Sequence, residues 1–379
     1  MDSSLPAVMP QHPTSELSIP DVSIVIPARN EEAAIGDCLQ SLTSQTGVTF
    51  EIIVVDDYST DRTGEIAKSF SGVRVTAPEP LPDVPTGKKP TGKNNAVIAG
   101  ARQARSNWLL FTDADTIHAP RSLGRALAEA ETNFAHLLSY SPQQVVVTFA
   151  ERAVMPVIFA ELAKQYPPHK VRDPDSGIVA ANGQYILVRR SAYESVGGHT
   201  AVATQILEDV ALARLFRDAG YNVYFRYAAD AVRTRMYRNW QQLCEGWTKN
   251  LALLFPQPGR LALQSLSRWL VAWFAIAITF SDKLNHPLVW IFCVALWLLV
   301  CYRIRTARFT AENNLLAIAC GLPVFAYLLL RSKRAYAQGQ VSWKGRAYDT
   351  DVPDGNTPAG IRAAKRVAEI RNQTLRTES

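Results

Sequence analysis

The sequence predicts an α/β domain, a mostly parallel sheet flanked by helices, with apolar helices behind it. Three observations carry this: β-branched runs alternate with helical spacing from Val22 to Phe216, acidic pairs follow those runs, and the composition turns apolar after Phe255. The 379 residues are 47% hydrophobic and 9% aromatic, enough for a sizeable core and too apolar for a disordered protein.

Residues 1–20 are polar, carry Pro and Ser, lack the basic cap and apolar core of a signal peptide, and read as a disordered arm. Val22-Ser23-Ile24-Val25-Ile26 is a strand bounded by Pro27, and Glu31 to Leu42 has helical spacing with Ile35, Leu39 and Leu42 on one face. Glu51 to Val55 is a second strand, Thr63 to Phe70 a helix, Val73 to Val75 a strand and Lys93 to Arg105 a helix. Trp108-Leu109-Leu110-Phe111 is a strand that delivers Asp113. Ligands of such sheets sit beyond the carboxyl ends of the strands, where residues 27–31, Asp56-Asp57 and residues 113–115 all fall, so three separate loops are expected to share one cleft. Glu208-Asp209 opens a further helix that Gly220 stops.

Residues 269–280, 287–302 and 315–330 are apolar, nearly free of charge and flanked by Trp and Tyr, the pattern of membrane segments. Each is short for a full span, and the basic groups after the second and third runs cannot both be cytosolic if all three cross. One run is therefore expected to be re-entrant or interfacial, with Arg268 or Pro323 as the reason. Of a net charge of +6, residues 331–379 supply ten Lys/Arg against five Asp/Glu. That placement favours an anionic lipid surface over a nucleic-acid groove. Five cysteines without CxxC spacing argue against a disulfide framework or zinc site and for a reduced compartment. The expected division is 1–20 arm, 21–235 α/β domain, 236–262 interfacial segment, 263–334 two or three membrane helices, and 335–379 a basic, partly disordered cytosolic tail.

Asp113-Ala114-Asp115 suits a hard divalent cation, which takes one or two carboxylates and leaves positions for substrate phosphates. Asp57 can accept from a base or ribose, or instead open an Asx-type turn. Glu208 and Asp209 either serve the helix dipole or place one carboxylate as a base for an acceptor hydroxyl. Gly87 to Asn94 imitates a phosphate loop, but Asn94 replaces the magnesium-binding hydroxyl and a Pro-rich stretch replaces the strand. Lys93 at a helix start still suits a diphosphate. His118 and His199 lack partners at metal spacing and read as structural.

Together Ser23 to Glu32, Val54 to Asp61, Gly92-Lys93 with Ala96 and Gly100, Thr112 to Asp115 and Leu207 to Leu212 resemble family 2 glycosyltransferases, over about Val22 to Trp247. The resemblance implies a GT-A (Rossmann-like) fold and an inverting enzyme that moves a sugar from a nucleotide-diphosphate donor. It implies that Pro27, Arg29, Glu31 and Asp57 hold the nucleotide, Lys93 and Asp113 the ribose and diphosphate, Asp115 a Mg or Mn ion, and that Asp209 is the base beside Glu208. Gly183 to Leu187, Val196 to His199, Glu245 to Asn250 and Trp343-Lys344-Gly345-Arg346 look like the membrane-bound branch that includes carotenoid-acid and hopene-associated transferases. Its acceptor would be a membrane lipid, with Gln184 at the acceptor, Trp247 either an acceptor wall or an interfacial packing residue, Met155, Ile158 and Phe159 bordering the lipid side, and Arg233 and Arg235 either near the diphosphate or paired with nearby acids. Glu245-Gly246 before Trp247 departs from the Gln-x-x-Arg-Trp of processive members and argues against polymer synthesis. The branch implies a multi-pass protein of the cell membrane with a cytoplasmic catalytic domain and no nucleic-acid partner. A nucleotidyltransferase of the same fold and an inactive membrane scaffold are the alternatives.

Overall fold

The computed structural model describes residues 19–80, 90–279, 287–305 and 307–348. The predicted arm, apart from its last two residues, most of the Pro-rich stretch, and residues 349–379 of the predicted tail lie outside the described residues.

In chain order the first half runs β1 (Val22–Ala28), α1 (Ile35–Thr43), β2 (Phe50–Asp56), α2 (Thr63–Lys68), β3 (Val73–Thr76), α3 (Gly92–Gln103), β4 (Trp108–Thr112), β5 (Thr116–His118), α4 (Ser122–Thr132), β6 (Leu137–Ser141) and β7 (Gln143–Gln144). After it come α5 (Phe149–Gln165), α6 (Pro168–Arg172), β8 (Tyr185–Arg189), α7 (Arg190–Ser195), α8 (Gly198–Ala201), α9 (Glu208–Asp218), β9 (Val223–Tyr227), β10 (Val232–Thr234) and α10 (Trp240–Leu254). Seven strands pair in the order β3-β2-β1-β4-β8-β6-β9, and only β8 runs against its neighbours. The central strands are continuous apolar runs because helices cover both faces, giving one buried cluster around Ile24, Val54 and Leu110 and another around Val25, Val55 and Phe111. A smaller sheet, β5-β10-β7, stands beside them.

Register explains why the acidic loops meet. Ala28 lies opposite Asp56 and Val25 opposite Phe111, so the chain leaves β1, β2 and β4 at one edge, where the Asp57 amide donates to the Ala28 carbonyl at 2.8 Å. Helix α1 starts four residues later than its apolar spacing suggests. Glu31 and Glu32 give their amides to Thr63 Oγ1 (2.7 Å) and Asp61 Oδ2 (3.1 Å), which peels the expected first turn off the helix and into the cleft.

The carboxyl-terminal part contains α11 (Pro258–Thr279), α12 (Pro287–Arg305), α13 (Ala311–Leu316), a π-helical turn at Ala317–Gly321, α14 (Leu322–Ala337), and a hairpin of β11 (Val341–Trp343) and β12 (Arg346–Tyr348). Two helical stretches, Pro258–Ile278 and Ala311–Ala337, are long and apolar enough to cross a bilayer, while α12 carries a shorter apolar stretch, Trp290–Tyr302. The two residues offered as reasons for a re-entrant or interfacial run each sit at a distinct local feature. Arg268 on α11 pairs with Glu161 of α5 at 2.5 Å. The π turn precedes Pro323, whose ring cannot continue an ordinary hydrogen-bond ladder. At the same turn Gly321 is required, because a Cβ there would stand 1.9 Å from the Ala153 carbonyl of α5. Helices α5, α10, α11 and α14 thus share a third buried cluster around Val154, Leu243, Trp247, Phe325 and Leu328.

Candidate active site

One cavity of about 550 Å³ opens at the carboxyl edge of the sheet. Its lining includes Pro27, Arg29, Glu31, Asp57, Lys93, Asp113, Asp115, Gln184, Glu208, Asp209 and Trp247, all expected at the site from the sequence.

The two aspartates after β2 divide their work. Asp56 Oδ1 accepts the Ser59 amide at 3.0 Å and forms the turn, which leaves Asp57 to the cavity. Arg29 ties the first loop to the second by donating to the Asp57 carbonyl at 2.7 Å. Asn94, the residue that spoils the phosphate-loop pattern, donates to the carbonyls of Val202 (3.1 Å), Ala203 (2.9 Å) and Gln205 (3.2 Å), while Thr91 caps α3. The resulting helix start presents Lys93 to Asp113 (2.9 Å) and Glu208 (2.8 Å).

The acid pair at the start of α9 is split in the same way. Burial alone would raise Glu208, but Lys93 and Lys249 hold it below the usual carboxylate range. Asp209 is pushed up to about 6 by burial and by the Glu208 charge, although it accepts the amides of Gly183 and Val210, each at 2.8 Å. Desolvation opposes the Lys93 charge, yet Asp113 and Glu208 hold its pKa well above the usual ammonium value. A Cβ at Gly183 would lie 3.1 Å from Lys93 Nζ and 3.4 Å from both acids, which shows how tightly they gather. Gln184 donates to Thr234 Oγ1 at 3.3 Å beside this group.

Asp115 is pushed up to about 8 by burial and by the neighbouring Asp113 and Glu31 charges, and its Oδ1 is buried without a hydrogen-bond partner among the described residues. A crowded, unsatisfied carboxylate is what a divalent cation relieves. No group of three or more His, Cys, Asp or Glu side chains could hold a metal among the described residues. The residues therefore fit a cation that takes a carboxylate or two from the protein and the rest of its shell from substrate phosphate.

The sequence reading missed a hairpin that covers the Glu31 and Asp57 end of the cavity. The two-residue turn between β11 and β12 puts Lys344 (φ 47°) and Gly345 (φ 75°) in left-handed conformations, and Gly345 takes its own at no steric cost. At its tip Lys344 Nζ contacts Glu31 Oε1 at 2.5 Å and the Arg29 carbonyl at 2.9 Å, and Arg346 grips Asp57 with contacts of 2.5 and 3.0 Å. Gly92 makes room for that pair, since a Cβ there would sit 1.5 Å from Arg346 Nη1. Trp343, Lys344 and Arg346, in the stretch assigned to the tail, thus line the cavity. Asn at the first turn position would have signalled the hairpin; Lys does not.

The lining also includes apolar side chains, Phe159 and Leu162 of α5, Trp247 and Leu254 of α10, and Met236, together with Lys249 and Asn250 of α10. Trp247 is 2% exposed and stands edge-on to Phe159 and Tyr237, so it is wall and packing at once. Met155 and Ile158 do not border the cavity as expected; they are buried in the third cluster, because their helix face turns toward α10 and α14. Arg233 lies outside the lining, exposed on β10, and Arg235 lines the cavity but pairs with Glu151 at 3.4 Å. His118 and His199 are buried, pushed down to about 3 and about 4, and bonded to Thr112 and Thr116 and to Tyr193. Both are structural, as expected.

Sheet order and the cleft at the carboxyl edge are those of a GT-A-type α/β fold. Residues 23–197 match the family model described as glycosyl transferase family 2. The chain carries a family 2 glycosyltransferase domain and is a glycosyltransferase. It is 27% identical over 344 residues to the 4,4'-diaponeurosporenoate glycosyltransferase of Staphylococcus aureus (strain USA300), covering 86% of this chain and 88% of that one. Among solved structures it is similar to the mannosyltransferase PcManGT of Pyrobaculum calidifontis in complex with GDP-Man and Mn2+, with 16% identity, coverage of 83% and 86%, and a TM-score of 0.45. It is also similar to glucosyl-3-phosphoglycerate synthase of Mycobacterium tuberculosis, with 21% identity, coverage of 61% and 75%, and a TM-score of 0.41.

Proposed function

We propose that this glycosyltransferase moves a sugar, with inversion, from a nucleotide-diphosphate donor to a hydroxyl or carboxyl group of a membrane lipid. The observation that carries the reading is one cavity that joins carboxylates and Lys93 to the apolar side chains of Phe159, Leu162, Trp247 and Leu254, next to helices fit for a bilayer. The Staphylococcus relative, named for a carotenoid acid, supports the same class of acceptor.

In this reading Pro27, Arg29, Glu31 and Asp57 receive the nucleotide, and Lys344 and Arg346 exchange their carboxylate partners as it enters. Lys93, at the start of α3 and therefore at the positive end of the helix, receives the diphosphate, and Asp113 lies near the ribose. Asp115 would hold Mg or Mn, which neutralises charge on the departing diphosphate. The acceptor oxygen attacks the anomeric carbon from the side opposite the phosphate, and the broken bond leaves its electron pair on the diphosphate. With a hydroxyl acceptor Asp209 takes the proton as the new bond forms. Gln184 and Trp247 border the acceptor. The apolar helices fasten the domain to the cytoplasmic face of the cell membrane, where a soluble donor and a lipid acceptor meet.

Membranes holding the chain, given labelled nucleotide sugars and then extracted, are expected to yield labelled lipid. Asp209→Asn should abolish transfer to a hydroxyl acceptor and leave donor binding nearly intact. Release of pyrophosphate without transfer would point instead to a nucleotidyltransferase, and silence with every donor to a scaffold.

A further inference from the structure

Given the membrane attachment read above, we propose that the described chain binds one leaflet without crossing the bilayer: residues 311–337 lie along the membrane surface, and the apolar ends of α11 and α12 dip into that leaflet. The stretch 311–337 is tied to the catalytic domain along its whole length. Near its start Arg152 of α5 donates to Asn313 Oδ1 at 2.8 Å and pairs with Glu312 at 3.4 Å. At its middle Gly321 packs against the Ala153 carbonyl of α5. Near its end Ser332 donates to the Thr248 carbonyl and Tyr336 to the Lys249 carbonyl of α10, each at 2.6 Å. From Asn313 to Tyr336 the helix is about 35 Å long at 1.5 Å per residue, more than the hydrocarbon core of a bilayer, about 30 Å. Were it to span that core, α5 and α10 would have to lie in the core beside it. Both helices line the cavity that a soluble donor must enter, and α5 carries Glu151, Arg152, Glu161 and Lys164. Charged side chains of that number do not belong in hydrocarbon.

Helix α11 runs antiparallel beside this stretch. Ser265 donates to the Leu322 carbonyl at 3.0 Å, and the Trp269 and Trp273 indoles donate to the Ala319 carbonyl at 2.8 and 3.2 Å. Arg268 is the eleventh of its 22 residues and pairs with Glu161. A crossing α11 would hold that ion pair near the bilayer midplane, whereas a helix lying on the domain keeps it in the protein. What remains for lipid is short. Thr279 lies six residues beyond Trp273, about 9 Å, and Pro287 lies ten residues before Trp297, which packs in the third cluster, about 15 Å. Those lengths suit half of the core, about 15 Å. The side chains exposed on them include Phe274, Leu288, Ile291 and Phe292.

The basic groups fit the same geometry. Arg305 and Arg308 are exposed just before the stretch, and Lys333 and Arg334 near its end. With no crossing between them, both groups meet the anionic headgroups of one leaflet, and the charge conflict that three crossings create disappears.

The test uses the full chain in sealed membrane vesicles, prepared inside-out and right-side-out, and a membrane-impermeant maleimide. Glu312→Cys and Gln338→Cys place one added thiol at each end of the stretch, and labelling is read above that of the unchanged chain. Both are expected to label in the same vesicle orientation and to lose the label in the other. Arg308→Cys, in the exposed link before α13, repeats the measurement without touching the Arg152 contacts. Labelling of the two ends from opposite faces, or of Glu312→Cys only after detergent opens the vesicles, overturns the proposal; if labelled lipid is still formed, the transferase reading stands. A chain that stays in solution without vesicles overturns it as well, and removes the membrane part of that reading.

Discussion

The two sides of the cavity are built differently. On the side proposed for the donor, Asp57 follows β2, Asp113 and Asp115 follow β4 and Lys93 lies in the first turn of α3, with Lys344 and Arg346 added by the hairpin. On the acceptor side the wall is assembled from α5 and α10, about ninety residues apart in sequence, and is held by contacts with α14. A parallel sheet fixes the first by backbone register, whereas the second depends on side-chain packing. Damage to the donor side should therefore appear in chemistry, and damage to the acceptor side in acceptor affinity.

The largest separation is expected from Asp209→Asn. With a hydroxyl acceptor it should lower kcat by about 10²–10⁴-fold at unchanged donor KM, the range of a lost general base. A similar loss of donor binding, measured by calorimetry, would break the distinction. Next is Asp115→Ala, or chelation of divalent cations, expected to cut turnover by roughly 10²-fold or more and to weaken nucleotide-sugar binding, while the acceptor KM stays put. Third, Phe159→Ala should raise the KM for an apolar acceptor by about ten-fold and leave donor hydrolysis within a factor of about two. A matching fall in hydrolysis would show the two sides to be mechanically one. Fourth, Arg346→Ala leaves Asp57 without its partner in the donor-free chain; with the pair partly exposed, unfolding should be easier by about 1–3 kcal/mol, and saturating nucleotide sugar should recover part of it.

The smallest effect is a pH limb. Asp209 is raised to about 6, so it holds a proton below that pH and cannot act as a base. Turnover of a hydroxyl acceptor should climb as pH rises through about 6, and turnover of a carboxylate acceptor should be nearly flat there. The stability sign is the reverse: a carboxyl raised on folding favours the folded state most below its ordinary value, near 3.8, and loses that contribution as pH rises through about 6. Denaturant midpoints of wild type and Asp209→Asn, compared from pH 4 to 7, check it.

The same contrast governs what could be read before any coordinates. Apolar runs gave β1, β2 and β4 to within a residue or two, and with them the donor side, because a site residue next to a buried strand inherits its position from the strand. The start of α1 falls later than helical spacing suggests because Thr63 and Asp61, about thirty residues away, anchor the Glu31 and Glu32 amides and hold that stretch as a loop. Met155 and Ile158 looked like Phe159 as sequence, and only the packing of α5 against α10 and α14 separates buried from lining. Lys249 lay inside a recognised stretch, yet its closeness to Glu208 is set by how α10 docks, which no local pattern encodes.

The hairpin also bears on the order of synthesis. Strands β1, β2 and β4 leave the ribosome well before residue 346, so for most of translation Asp57 and Glu31 have neither Arg346 nor Lys344 against them. A chain stopped after α10 would keep all seven strands and still meet a nucleotide with bare carboxylates. The pocket is finished by nearly the last described residues, after both bilayer-length helices have been made.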